Sequence, residues 1–288
     1  MEGFGDRLAE AVDRVGSIGC VGLDPHAASV PVQSGPSRAE KASAAREFCL
    51  GVIDAVRGLV PAVKPQVAFF EALGAPGVAA LEDVCDAARN ARLIVVLDAK
   101  RGDIGSTAEA YAHATLDDDG PVRADAVTLS PYLGAESLTP YLQRADAGKG
   151  LFVLLRTSNP GAGEWQAAGE PSFADRVAAW IQAANASRVG ASGFGPVGAV
   201  VGATLPAESR RWREALPSAW LLVPGFGAQG ATAADLGGLL RRDGLGALVV
   251  SARGVLFPAK GVDGADWRDA VAARARQLRA DLATVRPA

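Results

Sequence analysis

Histidine is almost missing from this 288-residue chain: His26 and His113 are the only two. A nucleophile activated by an imidazole, or a metal held by several of them, would have to be built from that pair, and neither is expected. Cysteine is nearly as scarce. Cys20, Cys49 and Cys85 are odd in number, widely spaced and free of any Cys-x-x-Cys pattern. That argues against a disulfide framework or a structural zinc, and they read as small buried apolar residues. No apolar run approaches membrane-spanning length, and no basic stretch interleaved with aromatics offsets the net charge of −3. Neither a membrane nor a nucleic acid is therefore an expected partner. The opening Met1-Glu2-Gly3-Phe4-Gly5-Asp6 lacks both a cationic start and an apolar stretch, so a cytoplasmic protein is expected. Lysine is the last scarcity. Only Lys41, Lys64, Lys100, Lys149 and Lys260 occur, which leaves 24 of the 29 basic residues as arginine.

What is plentiful is apolar sequence, 49% of the chain. Short β-branched runs recur at Ile18–Leu23, Ala62–Phe69, Leu93–Asp98, Ala126–Leu129, Leu151–Leu155, Val197–Val201, Trp220–Val223 and Ala247–Val250. They are nearly continuous rather than alternating, as strands covered on both faces are. Between them lie stretches of helical period, including Ala39–Leu59, Pro76–Ala91, Ser106–Leu116, Ser172–Ala191 and Trp267–Leu282. Repeated β-then-α units over this length predict an α/β fold, a (β/α)8 TIM barrel forming one domain over residues 1–288. A doubly wound sheet is the alternative.

In such a barrel, chemistry collects where strands run into helices. The predicted strand ends carry Asp24, Lys64-Pro65-Gln66, Asp98-Ala99-Lys100, Thr128-Leu129-Ser130, Ser158, Gly202-Ala203-Thr204, Gly225 to Gly230 and Arg253. The most telling is Leu97-Asp98-Ala99-Lys100-Arg101-Gly102-Asp103. Asp98 and Lys100 share one face of a strand, roughly 6–7 Å apart at Cα. Asp103 is out of phase with both, and Gly102 frees the backbone for it to swing out on a loop. A lone Asp-x-Lys also fits a structural ion pair closing a strand end. A third charge, and lysines kept at two strand ends by an arginine-rich chain, point instead to a compact charge or a proton donor. Gly225, Gly227, Gln229 and Gly230 after the seventh run, with Arg253 after the eighth, match a barrel phosphate site or, more plainly, two glycine turns and a surface arginine.

Asp98-Ala99-Lys100-Arg101-Gly102-Asp103-Ile104, preceded by Lys64-Pro65-Gln66-Val67-Ala68-Phe69-Phe70-Glu71, resembles the orotidine 5′-phosphate decarboxylase family, in its second bacterial, actinobacterial-type branch. The likeness runs from Gly19-Cys20-Val21-Gly22-Leu23-Asp24-Pro25 to Val249-Val250-Ser251-Ala252-Arg253. It implies cofactor-free, metal-free conversion of orotidine 5′-monophosphate to UMP. Lys100 would be the proton donor to C6, with Asp98 near the departing carboxylate. Lys64 would bridge Asp98 and the ribose, and Asp24 would bind a ribose hydroxyl. Ser158 would meet the pyrimidine edge, and Gln229 and Arg253 the phosphate. Asp103, Ile104 and Thr107 would serve the neighbouring site across a homodimer interface. Ala252 departs from the glycine found there in the better-known branch. Residues 159–172 read equally as a lid or a surface loop.

Two rivals stay open. A Mg2+-dependent sugar-phosphate decarboxylase or aldol synthase of the same suprafamily shares Asp-x-Lys-x-x-Asp, but carries an acid where Lys64 stands. A non-catalytic nucleotide-binding barrel would bind UMP without turnover.

Overall fold

The computed structural model describes residues 2–27, 29–203, 206–226, 232–257 and 267–285. Eight parallel strands, β1 (Gly19–Leu23), β2 (Ala62–Pro65), β3 (Ile94–Arg101), β4 (Ala126–Leu129), β5 (Gly150–Arg156), β6 (Val197–Val201), β7 (Leu221–Pro224) and β8 (Ala247–Ser251), follow one another around a closed barrel. Closure comes from β1 against β8, with Cys20 opposite Val250. The helices are α1 (Phe4–Val15), α2 (Arg38–Val56), α3 (Val67–Glu71), α4 (Ala75–Asn90), α5 (Gly105–Leu116), α6 (Thr139–Asp146), α7 (Ala162–Gln166), α8 (Phe173–Asn185), α9 (Pro206–Ala215), α10 (Arg253–Leu256) and α11 (Trp267–Ala283). The expected barrel is the observed one. Its strands are buried on both faces because helices cover the outside while the side chains of the other parity, Phe152 among them, fill the inside.

The N-terminal helix α1 has no counterpart among the expected elements, and it closes the bottom of the barrel. Phe4 meets Phe152 edge-on at 5.9 Å, and the Trp220 indole N–H donates to the Gly5 carbonyl at 3.2 Å. With that end plugged, the C-terminal rim is the open one.

Two expected boundaries move by more than three residues. The run Ala62–Phe69 does not continue as a strand: β2 stops at Pro65 and α3 begins at Val67. Past the rim there is no partner strand for Val67–Phe70, so the backbone satisfies its donors in a helical turn instead, starting with the Gln66 side chain accepting from the Ala68 N–H. The helix expected to reach Ala191 ends at Asn185. That buried amide donates to the Val197 carbonyl at 2.7 Å and accepts from the Val197 N–H at 3.1 Å, pinning the entry to β6. No helix among the described residues is long and apolar enough to cross a membrane.

Candidate active site

Along β3 the pairing with β4 is regular as far as Leu97 opposite Val127, then resumes at Arg101 opposite Leu129. Four steps on β3 match two on β4, so Asp98-Ala99-Lys100 bulges out of the ladder. Bulges of this kind re-aim side chains beside active sites. Within the bulge Lys100 adopts φ +47, a left-handed conformation that costs a non-glycine residue roughly 1–3 kcal/mol. The expected strand alternation therefore gives way to a more specific device. Asp98 and Lys100 do meet, with Lys100 Nζ 2.5 Å from Asp98 Oδ1, but through a distorted backbone. The expected release at Gly102 is relocated as well. Positive φ falls on Lys100 and Gly105, while Gly102 is needed because a Cβ there would lie 2.9 Å from the Ser130 carbonyl oxygen.

The Asp98 carboxylate is buried and fully engaged. Oδ2 accepts from Lys64 Nζ at 2.5 Å and from Gln66 Nε2 at 3.0 Å; Oδ1 accepts from Lys100 Nζ at 2.5 Å and from Thr128 Oγ1 at 3.0 Å. Burial alone would raise its pKa. The two ammoniums and their hydrogen bonds outweigh that and hold it at about 2. Lys64 is 6% exposed. Burial works against its charge, yet Asp98 and Asp24 push its pKa above the ordinary lysine value. Both groups are thus ionised at neutral pH.

Asp24, just beyond β1, is different in kind. Its Oδ1 is buried without a hydrogen-bond partner among the described residues. Burial raises its pKa, with Lys64 opposing and Asp98 adding to the rise. A buried acceptor with no donor is costly to leave so, and it fits a hydroxyl supplied by a ligand.

On the far side of the mouth Ser158 follows β5, on a segment held at several points. The Arg156 guanidinium spans to Glu208 on α9 at 3.0 Å. The Thr157 N–H donates to Gln166 Oε1 at 2.9 Å, and Gln166 Nε2 to Thr157 Oγ1 at 2.8 Å. Residues 159–172 are therefore partly helical, tied down through α7 and the Ser172–Asp175 capping box that starts α8. Arg253 opens α10 beyond β8, beside β1, and is exposed. Its neighbour Ala252 packs on Gly22, where an added Cβ would come within 2.7 Å of the Ala252 Cβ. Gln229 and Thr204 lie outside the described residues.

Among the described residues, no hydrogen bond or ion pair joins the remaining three predicted residues to Lys64, Asp98 or Lys100. Asp103 leaves the barrel after β3; its Oδ1 accepts the Ile104 N–H at 2.8 Å, and it forms no ion pair among the described residues. Ile104 is 55% exposed, and Thr107 is exposed on the first turn of α5. Within one subunit the structure brings together Lys64, Asp98 and Lys100, with Asp24 close by. It does not add Asp103. Gln66 and Thr128 stood among the strand-end residues without a role, and both turn out to bond Asp98. Being neighbours of the charged residues on adjacent strand ends was the available signal. Among the described residues, the one trio of histidine or acid groups close enough to hold a metal ion is His113, Asp117 and Asp119, beyond the other end of α5 from the rim. There Asp117 is already held by Arg144.

A parallel eight-stranded barrel with two lysines on one buried carboxylate at its C-terminal mouth defines an enzyme of the barrel class. Residues 19–284 match the Orotidine 5′-phosphate decarboxylase / HUMPS family, and the chain belongs to it. It is 45% identical to the orotidine 5′-phosphate decarboxylase of Rhodopirellula baltica, with 97% of this chain and 98% of that one covered. It is 46% identical to the enzyme of that name from Streptomyces coelicolor, over 82% and 83% of the two chains. Among solved structures it resembles Leishmania donovani OMP decarboxylase, with a TM-score of 0.78 at 36% identity, covering 99% of this chain and 98% of that one.

Proposed function

We propose that this chain decarboxylates orotidine 5′-monophosphate to UMP, the last step of de novo pyrimidine synthesis, with no cofactor. The observation that carries this reading is the pair of lysines on one carboxylate. Lys64 and Lys100 take opposite oxygens of Asp98, so that trio carries a surplus positive charge, offset in part by Asp24 close by. That surplus sits at the more accessible end, since the Lys100 side chain is 47% exposed while Lys64 is closed in.

Breaking the C6–carboxylate bond leaves its electron pair on C6, in the plane of the ring, where no adjacent π system can take it up. An ammonium already in position stabilises that charge as it develops, with little reorganisation. Lys100 Nζ then delivers a proton to C6, giving UMP, and regains one from solvent. Lys64 keeps Asp98 ionised and aligned, and reaches the ribose. The unpartnered Asp24 oxygen accepts a ribose hydroxyl, Ser158 meets the pyrimidine edge, and Arg253 with Gln229 holds the phosphate. The Mg2+-dependent alternative would need oxygen ligands from Asp98. Both of its oxygens already carry ammonium donors, so the ion would have to displace a lysine.

The active form in this reading is a homodimer in which Asp103, Ile104 and Thr107 complete the partner's site. Five of the large apolar side chains most exposed among the described residues, Ile104, Tyr111, Tyr132, Leu133 and Trp165, lie on the segments after β3, β4 and β5. A second copy would cover that face. Cytoplasmic location belongs to the same reading, since Cys20, Cys49 and Cys85 are all free thiols.

Loss of orotidine monophosphate absorbance with purified, chelator-treated protein tests the function. Turnover that persists after chelation supports it. Binding of UMP without turnover would leave a nucleotide-binding barrel, and activity restored only by Mg2+ would favour the sugar-phosphate branch.

A further inference from the structure

The bulge in β3 takes backbone donors out of the β3–β4 ladder at the point where the reacting lysine sits. Buried N–H groups must find partners. The Ala99 and Lys100 N–H groups both find the same one, Thr128 Oγ1 on β4, at 3.0 and 2.9 Å. A hydroxyl has one proton and two lone pairs. Two donors occupy its lone pairs, so its own proton goes to the third neighbour, Asp98 Oδ1 at 3.0 Å. Thr128 is 1% exposed, on a strand buried throughout, and the direction of each bond follows from its neighbours.

We propose that Thr128 is a positioning residue for the reaction: its hydroxyl holds the left-handed backbone of Lys100 and the carboxylate of Asp98 in one rigid unit, and so sets where the Lys100 ammonium stands over the reacting carbon. The inference rests on the decarboxylase reading above. The three bonds use the whole hydrogen-bonding capacity of the Thr128 hydroxyl, leaving none for a substrate. It acts through Lys100, which without this anchor has no reason to stay at φ +47, since an ordinary strand conformation is open to it. Asp98 orients Lys100 from the side-chain end, and Thr128 does so from the backbone end.

Thr128→Val removes the hydroxyl and keeps the shape. For a misaligned proton donor, kcat should fall by about 10–100-fold, while KM and UMP affinity change by less than about threefold. Exchange of the UMP C6 hydrogen with deuterated solvent, which reads the Lys100–C6 contact without decarboxylation, should slow in parallel. Thr128→Ser, which keeps the hydroxyl, should restore both rates to within about threefold of wild type. If Thr128→Val does not fold, Thr128→Ala, which also lacks the oxygen, is read in the same way. Wild-type kcat and exchange in a folded valine or alanine variant would overturn the proposal, as would a loss confined to UMP binding, or a serine variant as slow as valine. If the wild-type protein itself fails to turn over orotidine monophosphate, it is the decarboxylase reading that falls.

Discussion

Lys64 and Lys100 stand on opposite oxygens of one buried carboxylate, Asp98, each at 2.5 Å. Two cations on one anion is an arrangement that a purely structural ion pair does not need. It also couples the stability of the barrel mouth to its chemistry, because neither lysine keeps its partner if Asp98 is lost.

That coupling has a pH signature. The folded pKa of Asp98 is about 2, below the ordinary aspartate value of 3.8. Its ionised form therefore adds stability that is complete above about pH 5 and lost as the pH falls through 2, worth roughly 2 kcal/mol. Asp98→Asn should cost about 3–5 kcal/mol at pH 7, because Lys64 is left buried and unpaired. In urea unfolding at pH 7, 4 and 2.5, the gap between wild type and this variant should narrow towards the acid end. A gap independent of pH would mean that Asp98 is not held ionised by the lysines.

Lys100→Ala should leave a folded protein that binds UMP but has lost at least about 4 kcal/mol of transition-state stabilisation, close to a thousandfold in rate. Steady-state turnover with a parallel UMP titration checks this. A variant within tenfold of wild type would remove Lys100 from the mechanism.

The close contact between Gly22 and Ala252 makes a packing prediction. Gly22→Ala puts two methyl groups 2.7 Å apart between β1 and the turn after β8. Overpacking of this kind costs about 1–3 kcal/mol. Adding Ala252→Gly should relieve most of it, measured as the coupling in a double-mutant cycle of unfolding free energies. Additive costs would show that the turn relaxes instead.

Arg253→Ala should weaken UMP binding far more than uridine binding, by roughly 1.5–3 kcal/mol, the worth of a charge-assisted hydrogen bond to phosphate. Calorimetry on both ligands separates the outcomes. Equal losses would put the phosphate elsewhere on the rim.

Lys100→Ala and Asp103→Asn subunits should rescue each other when mixed and reassembled. In a mixed dimer, the subunit that keeps Lys100 receives an intact Asp103 from its partner, and the other site has neither. Random pairing makes half the dimers mixed with half their sites whole, so activity should return to roughly a quarter of wild type. Recovery of nothing beyond the parent activities would mean that Asp103 serves its own chain.

The sequence by itself determined the eight-strand order and the rim. A continuous apolar run such as Val197–Val201 has no polar face to show solvent, so it reads as a strand covered on both sides, and its observed bounds match the expected ones. Asp98, Lys64 and Lys100 were legible for the same reason: charges at the ends of buried runs are conspicuous against apolar neighbours and against a composition that otherwise writes its cations as arginine. Tertiary structure alone decided how those charges meet. The β3 bulge, φ +47 at Lys100 and the change from strand to helix after Pro65 arise from pairing with β4 and from the end of the barrel wall, neither of which is a property of a local segment. Thr128 and Gln66 were hidden for the same reason. A threonine in a strand and a glutamine before a helix are ordinary as sequence, and they acquire a role only when a neighbouring strand brings a buried carboxylate within 3.0 Å of them.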